Sequence, residues 1–251
     1  MNHSRFGYSA VSTFEQCPFR YKCQYIDDLK TLPSDDPTNA LIIGTAMHKG
    51  IETDVETAIN EYFSSYPIIT DQHIDEEIKL RYLIPKVKEI IPKGFHELKV
   101  VDTNFIGTLD LLVPVDGDTY DLYDFKYSNN WLRYMDSRQL HLYKYYTEKV
   151  TGHRIRNMYF VFIPKVQIRQ KKTETLFDFR QRLLTELDKT TIKVEPVPYD
   201  PMKVIEHLEL TQQIMMCQDY PKNSTRLCDF CEYKQYCQSD GKEDWMIMGR
   251  N

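Results

Sequence analysis

Gly107-Thr108-Leu109-Asp110-Leu111-Leu112-Val113-Pro114 and, a few residues on, Tyr120-Asp121-Leu122-Tyr123-Asp124-Phe125-Lys126-Tyr127 form the stretch that decides how this chain is read. Both runs have the composition of strands, and the Val115-Asp116-Gly117-Asp118-Thr119 linker has hairpin-turn chemistry. Side chains alternate faces along a strand, so Asp124 and Lys126 project to one side while Phe125 and Tyr127 go to the other. The hairpin returns Asp110 close to Asp124. Two carboxylates and an ammonium then converge on one spot. Hard divalent cations such as magnesium take oxygen ligands and keep several waters, so such a spot suits a metal that must also admit a phosphate. A lysine there orients a water and offsets charge developing on the phosphate. On its own, D-x-K arises often by chance. Asp116, Asp118 and Asp121 then read as solvated turn residues, and Lys126 as a surface charge at a strand end.

With 251 residues, 41% of them hydrophobic, the chain can bury one good core and reads as a single elaborated domain over 1–251. Met1-Asn2-His3-Ser4-Arg5 lacks the basic-then-apolar pattern of a signal peptide. No apolar run approaches the roughly 20 residues that span a bilayer. The expectation is a cytoplasmic protein of a bacterial, archaeal or phage-infected cell, with no membrane partner. A formal charge of -5 speaks against indiscriminate binding of polyanions, although a local basic face is compatible with it. Six cysteines in that setting read as metal ligands or reduced thiols before disulfides.

Around the strand pair, Ser12 followed by Glu15 resembles a capping box opening a short helix that ends at Cys17. Residues 41–62 have a mostly helical pattern entered through Gly44-Thr45-Ala46-Met47-His48, and residues 75–91 read as a second helix. A strand near 97–101, the hairpin, a helix over 138–150 and a strand over 157–163 follow. A helix around 177–189, a proline-marked loop and a helix through Met216 lead to a cysteine-rich tail. The order implies an α/β fold with helix-rich flanks around a small mixed sheet.

Further groups stand beside the pair. His48 offers an imidazole nitrogen to a metal, although a lone histidine on a helix is more often packed or on the surface. Gln139 and Tyr143 lie four apart on one helix face, placed to hydrogen-bond a phosphate or stack on a base. Cys228-Asp229-Phe230-Cys231 followed by Cys237 brings three thiolates around one centre, with Cys17 the best fourth ligand and Cys23 and Cys217 spare. Such a quartet holds either a structural zinc or an iron-sulfur cluster. Lys165 to Lys172, with His153, Arg154 and Arg156 upstream, reads either as a solvated loop or as a track for a nucleic-acid backbone.

Taken in order, Cys17, Gly44-Thr45-x-x-His48, Gly107-x-x-Asp110, Asp124-x-Lys126, Gln139-x3-Tyr143 and Cys228-x2-Cys231-x5-Cys237 resemble the RecB-like branch of the PD-(D/E)XK nuclease superfamily. Its iron-sulfur members, such as the AddB nuclease domain and the CRISPR-associated RecB-like exonucleases, are most similar. The resemblance spans residues 17 to 237. It implies a restriction-endonuclease-like sheet and a Mg2+- or Mn2+-dependent deoxyribonuclease with Asp110, Asp124 and Lys126 catalytic. It also implies His48, Asp110 and Asp124 on the metal, and Gln139 and Tyr143 on DNA. Cys17, Cys228, Cys231 and Cys237 would ligate a 4Fe-4S cluster clasping the two ends of the chain, with Zn2+ the alternative occupant. Two departures stand out: Asp124 where many members have glutamate, and Leu109 where the motif's proline would stand. The chain has no G-x-x-x-x-G-K-[ST] loop, so a helicase motor would belong to a separate protein. The reading favours an exonuclease on DNA ends in recombination, repair or phage DNA processing. A structure-selective endonuclease and a catalytically silent DNA-binding module are the alternatives.

Overall fold

The computed structural model describes residues 5–242 and 247–250. Helix α1 (Tyr8–Gln16) and the single turn α2 (Pro18–Tyr21) run through a π-turn (Lys22–Ile26) into strand β1 (Leu29–Thr31). Helices α3 (Ala40–Glu52), α4 (Val55–Ser64) and α5 (Asp71–Ile90) follow. Then come β2 (Phe95–Val101), β3 (Ile106–Asp116), β4 (Thr119–Tyr127), α6 (Trp131–Met135), α7 (Gln139–Thr151) and β5 (Arg154–Ile163). The chain closes through α8 (Leu176–Asp188), β6 (Lys193–Pro196), α9 (Met202–Met216), a 3-10 turn (Arg226–Phe230), α10 (Lys234–Gln238) and β7 (Ile247–Arg250). No helix among the described residues is long and apolar enough to cross a membrane.

The main sheet has five strands in the order β2-β3-β4-β5-β6. Only β4 and β5 pair in parallel, because α6 and α7 carry the chain back across the sheet between them. The expected mixed sheet flanked by helices is present. Alternation sorts the hairpin's side chains as its sequence implies. Leu111, Val113 and Phe125 join the core beneath α3 and α5, built on Met47, Leu83 and Ile84. Leu112 and Leu122 face the other core with Leu140, Tyr143, Phe160 and Phe162. Gly117 takes a left-handed φ of 49° at the hairpin's turn, as Asp-Gly chemistry demands.

Several local expectations are corrected. Residues 41–62 are two helices, because the Asp54 carboxylate accepts the Thr57 N–H at 2.9 Å and caps a new one. Helix α1 begins at Tyr8, so Ser12 and Glu15 lie inside it and are no capping box. Asp121 is not solvated: it is buried, takes the Arg156 guanidinium at 2.7 Å and the Asn157 N–H at 3.1 Å, and so ties β4 to β5. Arg154 and Arg156 start β5 while Lys165 to Lys172 follow its end. Seven residues of strand, 157–163, separate Arg156 from the stretch after β5 by roughly 25 Å, so they form no continuous track.

The two ends of the chain meet. Strand β1 pairs with β7, the Tyr233 hydroxyl donates to the Leu29 carbonyl at 2.8 Å, and Arg20 pairs with Glu232 at 3.1 Å. The Asn223 amide donates to the Gln16 carbonyl at 2.8 Å, beside Cys17.

Candidate active site

Strand register builds the site. Leu111 pairs with Tyr123, and the same antiparallel ladder carried one step on sets Asp110 opposite Asp124. On the other side, His96 pairs with Leu111 and Leu98 with Leu109, which leaves Glu97 opposite Asp110. Three carboxylates therefore stand in one row across β2, β3 and β4, spaced by about 4.8 Å per strand. The register of the hairpin thus sets Asp110 opposite Asp124, with Glu97 on the next strand, while the ligand atoms gathered within 4.8 Å are those of His48, Glu97 and Asp110 and not of Asp124.

His48 comes to the row from α3. Its Nε2 lies 3.0 Å from the Phe125 carbonyl oxygen, which can only accept, so Nε2 carries the proton. Its Nδ1 then faces the Asp110 carboxylate at 3.4 Å with a lone pair to offer. Among the described residues, His48, Glu97 and Asp110 form the group whose ligand atoms all lie within 4.8 Å of one another. An imidazole and carboxylates are a donor set that manganese or magnesium accepts. Glu97 has a φ of 52°, a left-handed conformation costing a non-glycine residue about 1 kcal/mol or more. The cavity above this group is about 750 Å³, lined also by Leu41, Gly44 and Thr45 on the exposed side of α3. A Cβ on Gly44 would meet nothing within 4 Å, so the groove is open at that point.

Asp124 is fully buried, with Lys126 Nζ 2.5 Å from its Oδ2 and the Gln139 amide 2.9 Å from its Oδ1. Burial pushes the Asp124 carboxyl up to about 6, against the pull of Lys126 and with a further push from Asp110. Burial also raises the Asp110 carboxyl, but His48, Lys126 and the Phe125 N–H at 2.7 Å win, and its net shift is downward. For His48 and Lys126, burial works to lower the pKa, and the neighbouring carboxylates reverse it, so both sit above their usual range. A bound cation would rebalance these opposed charges.

Gln139 and Tyr143 sit behind Asp124. The Gln139 amide nitrogen also lies 3.0 Å from the Tyr143 hydroxyl, and Tyr143 is buried. Gly107 makes room for that ring: a Cβ there would come within 2.8 Å of Tyr143 Cε1 and 3.0 Å of the Phe105 ring. Gly107→Ala is expected to destabilise the protein by about 1–3 kcal/mol, read as a lowered denaturation midpoint, and to slow cleavage by displacing Tyr143 and Gln139 from Asp124. A variant with unchanged midpoint and rate would show that the rings simply yield.

Cys17, Cys228, Cys231 and Cys237 all line one cavity of about 270 Å³ between α2 and the C-terminal turns. Cys23 is buried elsewhere in that region, and the Cys217 thiol lies 2.8 Å from the Asp219 carbonyl oxygen. Burial raises the pKa of the Cys231 and Cys237 thiols, so a bound metal would have to displace their protons.

Oxygen-rich ligands with an ammonium held beside them define a metal-dependent hydrolase, and the sequence says of which kind. The chain belongs to the PD-(D/E)XK nuclease superfamily, whose model matches residues 5–238. No curated protein matches it. Among solved structures, that of a candidate exonuclease from Eubacterium rectale is similar with a TM-score of 0.46 and 11% identity, over 91% of this chain and 93% of that one. Of the site's residues, Glu97 is the one that sequence reasoning did not single out. Its only signal was an acidic residue in a strand one hairpin before Asp110.

Proposed function

We propose that this nuclease is a magnesium- or manganese-dependent DNA exonuclease of the RecB-like branch, serving recombination, repair or phage-type DNA processing beside a separate helicase or recombination protein. The carrying observation is the group of His48, Glu97 and Asp110 lining an open groove, with the buried Asp124–Lys126 pair on the neighbouring strand behind it. In this reading His48, Asp110 and Asp124 hold the divalent ion, and Glu97 is a further ligand. When bound, such an ion would supply Lewis acidity toward a phosphoryl oxygen and a lowered pKa for the attacking water. Lys126 orients that water and offsets the charge growing on the phosphate. The His48 Nε2–H, donated to the Phe125 carbonyl, fixes the tautomer that turns a bare Nδ1 toward the ion. Gln139 and Tyr143, expected against DNA, act on it through Asp124: the Gln139 amide donates to that carboxylate and is held in turn by the Tyr143 hydroxyl.

End-labelled linear DNA, single- and double-stranded, incubated with magnesium or manganese tests this reading. Release of label from linear but not covalently closed DNA is the expected result. Cutting of closed circles would replace the exonuclease by an endonuclease. Glu97→Gln is expected to weaken manganese binding by about 10–100-fold in a calorimetric titration while the fold is kept. Unchanged affinity would remove Glu97 from the ligand set.

For the cysteine cavity, we propose a 4Fe-4S cluster on Cys17, Cys228, Cys231 and Cys237. What supports this reading is that all four thiols line one cavity between the two ends of the chain, a soft donor set that suits iron-sulfur or zinc. Residues 1–251 would then act as one domain, closed by this clasp.

A further inference from the structure

We infer that Trp131 and Leu132 on α6, the helix that follows the strand of Asp124 and Lys126, form a stacking platform for the bases of a single DNA strand, an inference that rests on the nuclease reading above. Helix α6 is the first element after the catalytic strand, starting four residues beyond Tyr127. It turns two kinds of side chain in opposite directions. Tyr134 faces inward, its ring centroid 5.3 Å from Lys126 Nζ and 6.3 Å and 6.2 Å from the Phe160 and Phe162 rings. Trp131 and Leu132 face outward, 42% and 64% exposed. Large apolar side chains left in water on a helix that also packs against Lys126 are candidates for contact with a ligand.

The platform is held in place. The Asn129 amide donates to the Lys165 carbonyl at 2.9 Å and its oxygen accepts the Lys165 N–H at 2.8 Å, which clips the start of α6 to the segment after β5. Lys193 Nζ lies 6.0 Å from the centre of the Trp131 ring, and Arg133 follows in the same turn. Neither Lys193 nor Arg133 is ion-paired among the described residues. An aromatic face flanked by unpaired cations matches single-stranded DNA, whose bases stack on the ring while its phosphates meet the charges. A duplex already stacks its bases on one another and offers no free face, so the platform selects single strands or frayed ends.

Anisotropy of a labelled oligothymidine, measured without divalent metal so that nothing is cut, tests the platform. Trp131→Ala is expected to weaken binding by about 5- to 150-fold, the value of stacking one base, and to raise KM rather than lower kcat on single strands. Trp131→Phe should bind within a few-fold of wild type and lose the quench of tryptophan emission that the oligonucleotide causes in wild type. Unaltered binding by Trp131→Ala, or equal weakening toward duplex and single strand, would overturn the platform. Capture of an apolar peptide in place of the oligonucleotide would overturn it as well. The nuclease reading fails separately: wild-type protein that binds oligothymidine through Trp131 but cleaves nothing with manganese would leave the platform standing and remove the activity.

Discussion

Lys126→Ala is expected to lower metal-dependent cleavage of linear DNA by about a thousandfold or more while leaving DNA binding in place. The side chain is buried against Asp124 at 2.5 Å. Its loss acts twice. The charge that would meet the phosphate disappears, and Asp124, already pushed up to about 6 by burial, loses the cation that pulls it down. Near neutral pH more of that carboxyl is then protonated, so manganese affinity should also fall and should recover in part as pH rises from 7 to 9, whereas cleavage should not. Asp124→Ala should lose as much, and the double variant little more, because the two groups act as a unit. Retention of cleavage by both single variants would remove the assignment. In the metal-free wild type the same carboxyl has a folded pKa above its unfolded value of about 3.9, so its contribution to stability is full at low pH and declines as pH rises through about 6.

Cys17→Ser is expected to strip the colour from anaerobically purified protein and to cost roughly 3–5 kcal/mol of stability, on the order of 10 °C in Tm for a chain of this length. Cys17 and Cys237 close a loop of more than 200 residues, so a cluster joining them restricts the unfolded chain much as a crosslink would. Cys217→Ser, outside the cavity, should leave colour and melting unchanged. Colourless wild-type protein with one equivalent of zinc would overturn the iron assignment and keep the clasp.

What the sequence disclosed follows from how local each signal is. The hairpin was legible because alternation and an Asp-Gly turn fix a two-strand unit, and register then delivers Asp110 to Asp124 without further information. Glu97 was not: a glutamate in a half-exposed strand has the pattern of a surface charge, and its left-handed φ of 52° has no counterpart in the residue type. Helix α6 is five residues, too short for a period to show. The break before Asp54 hid inside a continuous helical pattern, although Asp54 and Thr57 were its local signal. Asp121 looked like a turn residue because its partner Arg156 lies far along the chain. The pairing of β1 with β7 likewise joins segments more than 200 residues apart, beyond the reach of any window.

The carboxylate row makes the sheet a gauge of its own assembly. A slip of one residue in either ladder would put Leu109 or Leu111 where Asp110 stands and hand the ion a leucine. A misaligned hairpin is therefore blind to metal, however compact the chain around it. Manganese binding, followed during refolding, should appear only with the final strand alignment, later than the collapse that fluorescence records.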